Sequence, residues 1–148
     1  MHKFDFKDQT AVITGGAQGF GLDIAKRFLD SGCKVYIWDI DEKLLKIVAD
    51  KINNPNLKYC IIDVSNYAEI EKIVDEITTK NKIDILINNA GITGPTDPLW
   101  KYDVEMWNKI IQINLMGTFN CCRAIVPSMI SNNYGRIVNV ASVAGKDG

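Results

Sequence analysis

Thr10-Ala-Val-Ile-Thr14 running into Gly15-Gly16-Ala17-Gln18-Gly19-Phe20-Gly21 is the stretch that decides the fold. The first five residues read as a short apolar strand. The glycines follow, and then an amphipathic helix from Leu22 to Asp30, closed by Ser31-Gly32. Glycines at 15, 19 and 21 let the chain turn tightly, let its backbone approach a ligand closely, and let helix pack on strand. The free N–H groups at the start of the Leu22 helix would then face an anion such as a pyrophosphate. The spacing is TGxxxGxG rather than the commoner GxGxxG. A glycine cluster alone is also what a plain tight turn needs, and its place between a strand and a helix is what makes it diagnostic.

The same alternation continues outward from this turn. Lys34 to Trp38 reads as a second strand ending at Asp39, and Asp41 can cap a helix through about Ile52. Asn53-Asn54-Pro55-Asn56 breaks that helix, and Leu57 to Ile62 is a third strand ending at Asp63. Ser65 or Asn66 can cap a helix carrying Ile70, Ile73, Val74 and Ile77 on one face. Ile83 to Ile87 is a fourth strand, running into Asn88-Asn89-Ala90-Gly91 and a loop with Gly94, Pro95 and Pro98. A long helix is predicted from about Val104 to Ser131, with Gly117 and Pro127 as points of irregularity. Arg136 to Val140 is a fifth strand, and Ala141 to Gly148 reads as loop.

Nearly continuous apolar strands point to a parallel sheet covered on both faces. With right-handed crossovers, the expectation is one α/β domain over 1–148. It is a doubly wound, Rossmann-type sheet of five parallel strands in the order 3-2-1-4-5. Ligands bind such sheets at the carboxyl ends of the strands. Asp39 stands at such an end, about where a dinucleotide fingerprint places the acidic residue for the adenosine ribose. A carboxylate there accepts hydrogen bonds from a free diol and repels a 2′-phosphate. Trp38 and Ile40 beside it offer no cation to hold that phosphate, although a surface or capping aspartate would look the same.

Composition excludes several other classes. Of the 148 residues 47% are hydrophobic and 24% charged, which is ordinary for a globular domain with a core of its own. A formal net charge of −1 argues against nucleic acid or an anionic membrane as the main partner. No run is apolar for long enough to span a bilayer, and Met1 to Asp8 lacks an apolar signal core, so the cytoplasm is the expected compartment. Cys33, Cys60, Cys121 and Cys122 form no CxxC pair, and His2 is the only histidine, so no metal set is expected. The adjacent Cys121 and Cys122 read as packing residues or as a redox pair, the former being the commoner use.

Taken together, Thr14 through Gly21, Asp39, Asp63-Val64, Asn88 through Gly91, Asn114 and Gly135 through Ser142 resemble the short-chain dehydrogenase/reductase family along the whole chain. The resemblance implies an oxidoreductase that interconverts an alcohol and a carbonyl with NAD(H). Gly15, Gln18, Gly19, Phe20 and Gly21 would form the cofactor turn. Asp39 would select NAD, making NADP the less favoured cofactor. Asp63 and the Val64 backbone would hold the adenine edge. Asn89, Ala90 and Gly91 would pass beside the adenosine ribose, with Asn88 bracing the strand. Asp63 and Asn88 also suit plain strand-end turns.

By the same resemblance, Ser142 would be the catalytic serine that hydrogen-bonds the substrate oxygen as charge develops. Asn114 would support a proton relay through water, and an interhelical hydrogen bond is its other reading. The family's Tyr-x-x-x-Lys pair lies beyond the fifth strand. Six residues follow Ser142 here, 143–148, and contain neither a tyrosine nor such a pair; Tyr134 precedes the fifth strand.

The 148 residues by themselves are therefore expected to be inactive, an N-terminal portion of the enzyme. The alternatives are a non-catalytic nucleotide-binding module or a truncated pseudogene product. The wording of the motifs is similar to 3-oxoacyl-carrier-protein reductases and to sugar-acid or polyol dehydrogenases. A small carbonyl or alcohol substrate is expected, with Ile92 to Lys101 on its side, and a homo-oligomer for the complete protein. Without the later helix, Ile85, Ile87, Ile137 and Val138 are expected to be exposed.

Overall fold

A computed structural model describes residues 5–143 and 145. Five parallel strands form one sheet: β1 (Thr10–Thr14), β2 (Lys34–Asp39), β3 (Leu57–Ile61), β4 (Ile85–Asn88) and β5 (Arg136–Asn139). Their spatial order is β3-β2-β1-β4-β5, as the alternating pattern predicts. The strands are connected by helices α1 (Gly19–Asp30), α2 (Glu42–Ile52) and α3 (Tyr67–Thr78). A longer helical run connects β4 to β5. It consists of α4 (Val104–Ile110), a π-helical segment (Ile111–Met116) and α5 (Gly117–Ser131).

Alternate residues of the central strands face two separate cores. Ala11, Ile13, Val35, Ile37, Ile85 and Ile87 pack with Ala25, Leu29, Leu45 and Val48 of α1 and α2. Val12, Tyr36, Trp38 and Leu86 pack with Ile70, Val74 and Ile77 of α3 and with Cys121, Ile125 and Met129 of α5. Each fully buried aliphatic side chain contributes about 1.5–3 kcal/mol of transfer free energy. The two cores clamp β1 between its neighbours and thereby fix the turn that follows it.

Local capping agrees with the residue choices. Asp41 accepts a hydrogen bond from Leu44 N at 2.9 Å and starts α2. Asn66, rather than Ser65, caps α3, and its amide donates to Glu69 Oε1 at 2.9 Å.

Four expectations need correction. Helix α1 begins at Gly19 rather than Leu22, because Leu22 N already donates to Gln18 O. Double coverage does not extend to the sheet edges: β3 is only partly buried, and every residue of β5 is exposed. Ile85 and Ile87, expected to be exposed, are buried at 5% and 4%, because their strand is covered by the α1 and α2 face. Ile137 and Val138, as expected, stand at 40% and 50%. The long helix runs from Val104 to Ser131 as read, but its irregularity is the π segment ending before Gly117. Pro127 sits within α5.

Candidate functional site: a cleft at the carboxyl ends of β1, β2, β3 and β4

Gly15, Gly19 and Gly21 divide three tasks between them. Gly15 has φ +63°, a left-handed turn that favours glycine, and an added Cβ would sit 3.0 Å from Ala90 Cα. Gly19 has φ +52°, and nothing lies within 4 Å of the place its Cβ would occupy, so its backbone borders open space. At Gly21 a Cβ would collide with Gly15 O and lie 2.6 Å from Asn89 Nδ2. As the first three residues of α1, Gly19, Phe20 and Gly21 have N–H groups with no partner inside the helix. These, not the N–H of Leu22, are the donors presented at the helix N-terminus.

The turn is tied to β4 by two side chains. Thr14 Oγ1 accepts hydrogen bonds from Asn89 N at 3.0 Å and Ala90 N at 2.9 Å. Asn89 Nδ2 donates in return to Thr14 O at 3.0 Å and Gly15 O at 3.1 Å. Asn89 thus braces the glycine turn itself. Asn88 braces the other side, donating to Asn139 Oδ1 of β5 at 2.9 Å.

Asp39 ends β2 with its carboxylate held from two directions. Oδ2 accepts from Ala17 N at 3.1 Å, and Oδ1 accepts from Asp41 N at 3.2 Å. Each oxygen keeps acceptor capacity beyond its one backbone donor. Asp63 divides its oxygens differently. Oδ1 closes an Asx turn with Ser65 N at 2.9 Å and Ser65 Oγ at 2.7 Å. Oδ2 has no protein partner among the described residues. Val64 beside it is fixed from α5. Asn120 donates to Val64 O at 3.1 Å, and Gly117 packs so closely that a Cβ there would meet Val64 Cγ2 at 2.6 Å.

Around these residues lies a cleft of about 350 Å3. Gly15, Gln18, Gly19, Phe20, Asp39, Asp63, Val64, Asn89, Ala90 and Gly91 line it, with Trp38, Ile40, Ile62, Ile92 and Ile113. Gly21 lies beneath the turn. Phe20 is 79% exposed and Ile40 68%, so two apolar side chains flank the opening of a cleft whose polar groups are set in a largely apolar lining.

The two residues singled out for catalysis stand apart from this lining. Asn114, in the π-helical segment, clamps the loop after β4. Its Oδ1 accepts from Ile92 N and its Nδ2 donates to Ile92 O, both at 2.9 Å. Ser142 is exposed beyond the carboxyl end of β5, where Val140 N still donates to Asn88 O at 2.9 Å. Among the described residues no group of histidine, cysteine and acidic side chains could hold a metal ion, and no helix is long and apolar enough to cross a membrane.

Trp38, Ile40, Ile62 and Ile113 were missed by sequence reasoning as lining residues, as were Gly117 and Asn120 as supports; Ile92, expected on the substrate side, also lines this cleft. The position of Ile40 and Ile62 next to motif residues was the available signal. For Asn120 and Gly117 there was none, since their partners lie over fifty positions away.

Comparison with known proteins agrees with the fold. A 2-dehydro-3-deoxy-L-rhamnonate dehydrogenase (NAD(+)) from Sphingomonas sp. (strain SKA58) is 41% identical over 97% of this chain and 57% of its own length. A 3-oxoacyl-[acyl-carrier-protein] reductase from Chlamydia muridarum is 34% identical over 95% of this chain and 58% of its own. The crystal structure of a 3-oxoacyl-[acyl-carrier protein] reductase with bound NAD from Brucella melitensis superposes with a TM-score of 0.87 at 32% identity. It covers 95% of this chain and 55% of that one. The chain thus spans a little over half the length of these relatives. The short chain dehydrogenase model matches residues 9–148, and the chain belongs to that family.

Proposed function

We propose that this chain is the NAD-binding portion of an oxidoreductase that interconverts a small alcohol and a carbonyl. Bound NAD(H) supplies the hydride chemistry. The residues of the chain bind and orient it. N–H groups of Gly19 and Phe20 receive the pyrophosphate at the positive end of α1, and Gly21 lets the turn pack beneath it. Asp63 Oδ2 and the Val64 backbone suit the adenine edge, and the Asn89-Ala90-Gly91 backbone suits the adenosine ribose. Two relatives support the cofactor: one carries NAD(+) in its name, and the other is a structure with NAD bound.

The observation that carries the reading is the Asp39 carboxylate, held by Ala17 N and Asp41 N on the wall of the glycine-turn cleft. A diol can donate to its remaining lone pairs. A 2′-phosphate would bring like charge against it. Asn114 acts on this site through Ile92, setting the loop that borders the substrate side. Ser142 follows β5 at the carboxyl edge of the sheet. In the complete active site it is the donor to the substrate oxygen, stabilising charge in the transition state.

The names of the relatives favour a 2-oxo sugar acid or a 3-oxoacyl thioester as the substrate class. A proton must reach the alkoxide as it forms, and Ser142 alone is a poor acid at neutral pH. These 148 residues by themselves therefore bind cofactor without useful turnover, in the cytoplasm and as part of a homo-oligomer when complete. The test is to read the coding sequence past codon 148 and assay both polypeptides for NADH oxidation against 2-oxo sugar acids and 3-oxoacyl thioesters. A Tyr-x-x-x-Lys pair with turnover in the longer polypeptide alone is expected. Comparable turnover by 1–148 would overturn the reading.

A further inference from the structure

A second concavity lies at the opposite end of the sheet and takes no part in the proposed function. It is a cleft of about 180 Å3 lined by Lys34, Tyr36, Pro55, Asn56, Lys58 and Asn81. Lys34 opens β2, and Lys58 pairs in register with Tyr36, so the cleft sits at the amino ends of β2 and β3.

Its polar groups are mostly donors. Lys34 Nζ donates to Asn81 Oδ1 at 3.2 Å, and Lys58 Nζ lies 5.6 Å from the centre of the Tyr36 ring. No carboxylate lines the cleft, and among the described residues neither ammonium is in an ion pair. Tyr36 is only 7% exposed. Its oxygen accepts from Asn81 Nδ2 at 3.2 Å, while its own hydroxyl proton has no acceptor among the described residues. The hydroxyl is thus a donor left free at a cleft that two ammonium groups also line. Asn81 holds Lys34 with one end of its amide and Tyr36 with the other, which points both at one opening. In a chain with a net charge of −1 this is a local excess of positive charge.

We propose that this cleft is a phosphate-binding subsite, with Lys34, Lys58 and the Tyr36 hydroxyl donating to the oxygens of one phosphate group. Two ammonium groups balance a dianion, and three donors from different directions suit a tetrahedral acceptor better than a planar one. Lysine binds phosphate as a compact point charge, which needs no fork geometry. Free inorganic phosphate and the phosphate of a small phosphomonoester present the same chemistry.

The experiment is a titration of the chain with inorganic phosphate, then with methyl phosphate, at ionic strength held constant with chloride and followed by amide NMR. Phosphate also suits the glycine turn, so the readout is local. Saturating shifts are expected at Val35, Tyr36, Lys58 and Asn81, and they persist when NAD occupies the other cleft. Equal shifts with methyl phosphate assign the site to an esterified group, and shifts with inorganic phosphate alone assign it to the free ion. Lys34→Gln combined with Lys58→Gln should weaken binding about tenfold or more, and Tyr36→Phe should weaken it less. Both lysines are exposed, so the double variant keeps the core intact. Shifts confined to residues 15–21, shifts reproduced by acetate, or unchanged affinity in the double variant would each overturn the proposal.

Discussion

Strands β1 and β5 look alike in the sequence and end up in opposite environments. Thr10-Ala-Val-Ile-Thr14 and Arg136-Ile-Val-Asn139 are both short and apolar at their centres, and each pairs in parallel with β4. Every residue of β1 is buried, and every residue of β5 is exposed. Position in the sheet makes the difference. β1 lies between β2 and β4 with a helix layer on each face, while β5 is the edge, with one partner strand. The same contrast separates the two halves of the site. The cofactor turn grows out of the most buried strand and is braced by Thr14, Asn89 and Asp39. Ser142 grows out of the least buried one.

The largest expected effect comes from deleting side-chain volume on the two sides of this contrast. Ile87→Ala, in the α1 and α2 core, should cost about 2–5 kcal/mol of unfolding free energy. Val138→Ala, its neighbour in register on β5, should cost no more than about 0.5 kcal/mol in the same chain. Urea unfolding of the two variants measures the difference. Similar losses would mean that β5 is covered and the comparison fails.

Gly21→Ala sharpens the comparison at the turn. Its Cβ has no room beneath Gly15 O, so the turn must shift, at a cost of about 1–3 kcal/mol. NAD affinity, read by calorimetry, should fall together with stability. A variant with native affinity would show that the turn is looser than its packing implies.

A smaller effect should appear on raising the pH. Burial pushes the Cys33 and Cys60 thiols up to about 11 and the Cys121 thiol up to about 12, from 9.0. The folded chain then binds these protons more tightly than the unfolded one. Their contribution to stability is fully present below about pH 9 and is lost as the pH rises through 11–12. The urea midpoint should stay flat up to pH 9 and then decline, and Cys121→Ala should soften the decline. A rise above pH 9 would contradict the burial of these cysteines.

The glycine turn and the Asp41 cap were legible in the sequence because each depends on nearby residues, and the strand order because alternating strands and helices with right-handed crossovers leave few topologies. A glycine that needs φ +63° or an aspartate three residues before a free N–H announces itself locally. Exposure along β4 and β5 was half legible: Ile137 and Val138 of β5 are exposed as expected, but Ile85 and Ile87 of β4 are buried, their cover coming from α1 and α2. Burial on a pleated strand depends on which layer each alternate residue meets, and that is not written in the strand itself. The support of Val64 by Gly117 and Asn120 was not legible for the same reason. Asn114 makes a hydrogen-bonded clamp, but to Ile92 in the loop after β4 rather than to another helix, a long-range partner that its own helix does not reveal.

The most direct test of the account is the preference between two cofactors at Asp39. The measurement is calorimetric titration of the chain with NAD and with NADP, repeated with Asp39→Ala. The wild type should bind NAD more tightly, and the substitution should narrow the gap by about 1–3 kcal/mol, the worth of charge-assisted hydrogen bonds. Equal or tighter binding of NADP by the wild type would contradict the assignment of Asp39 as the group that selects the cofactor.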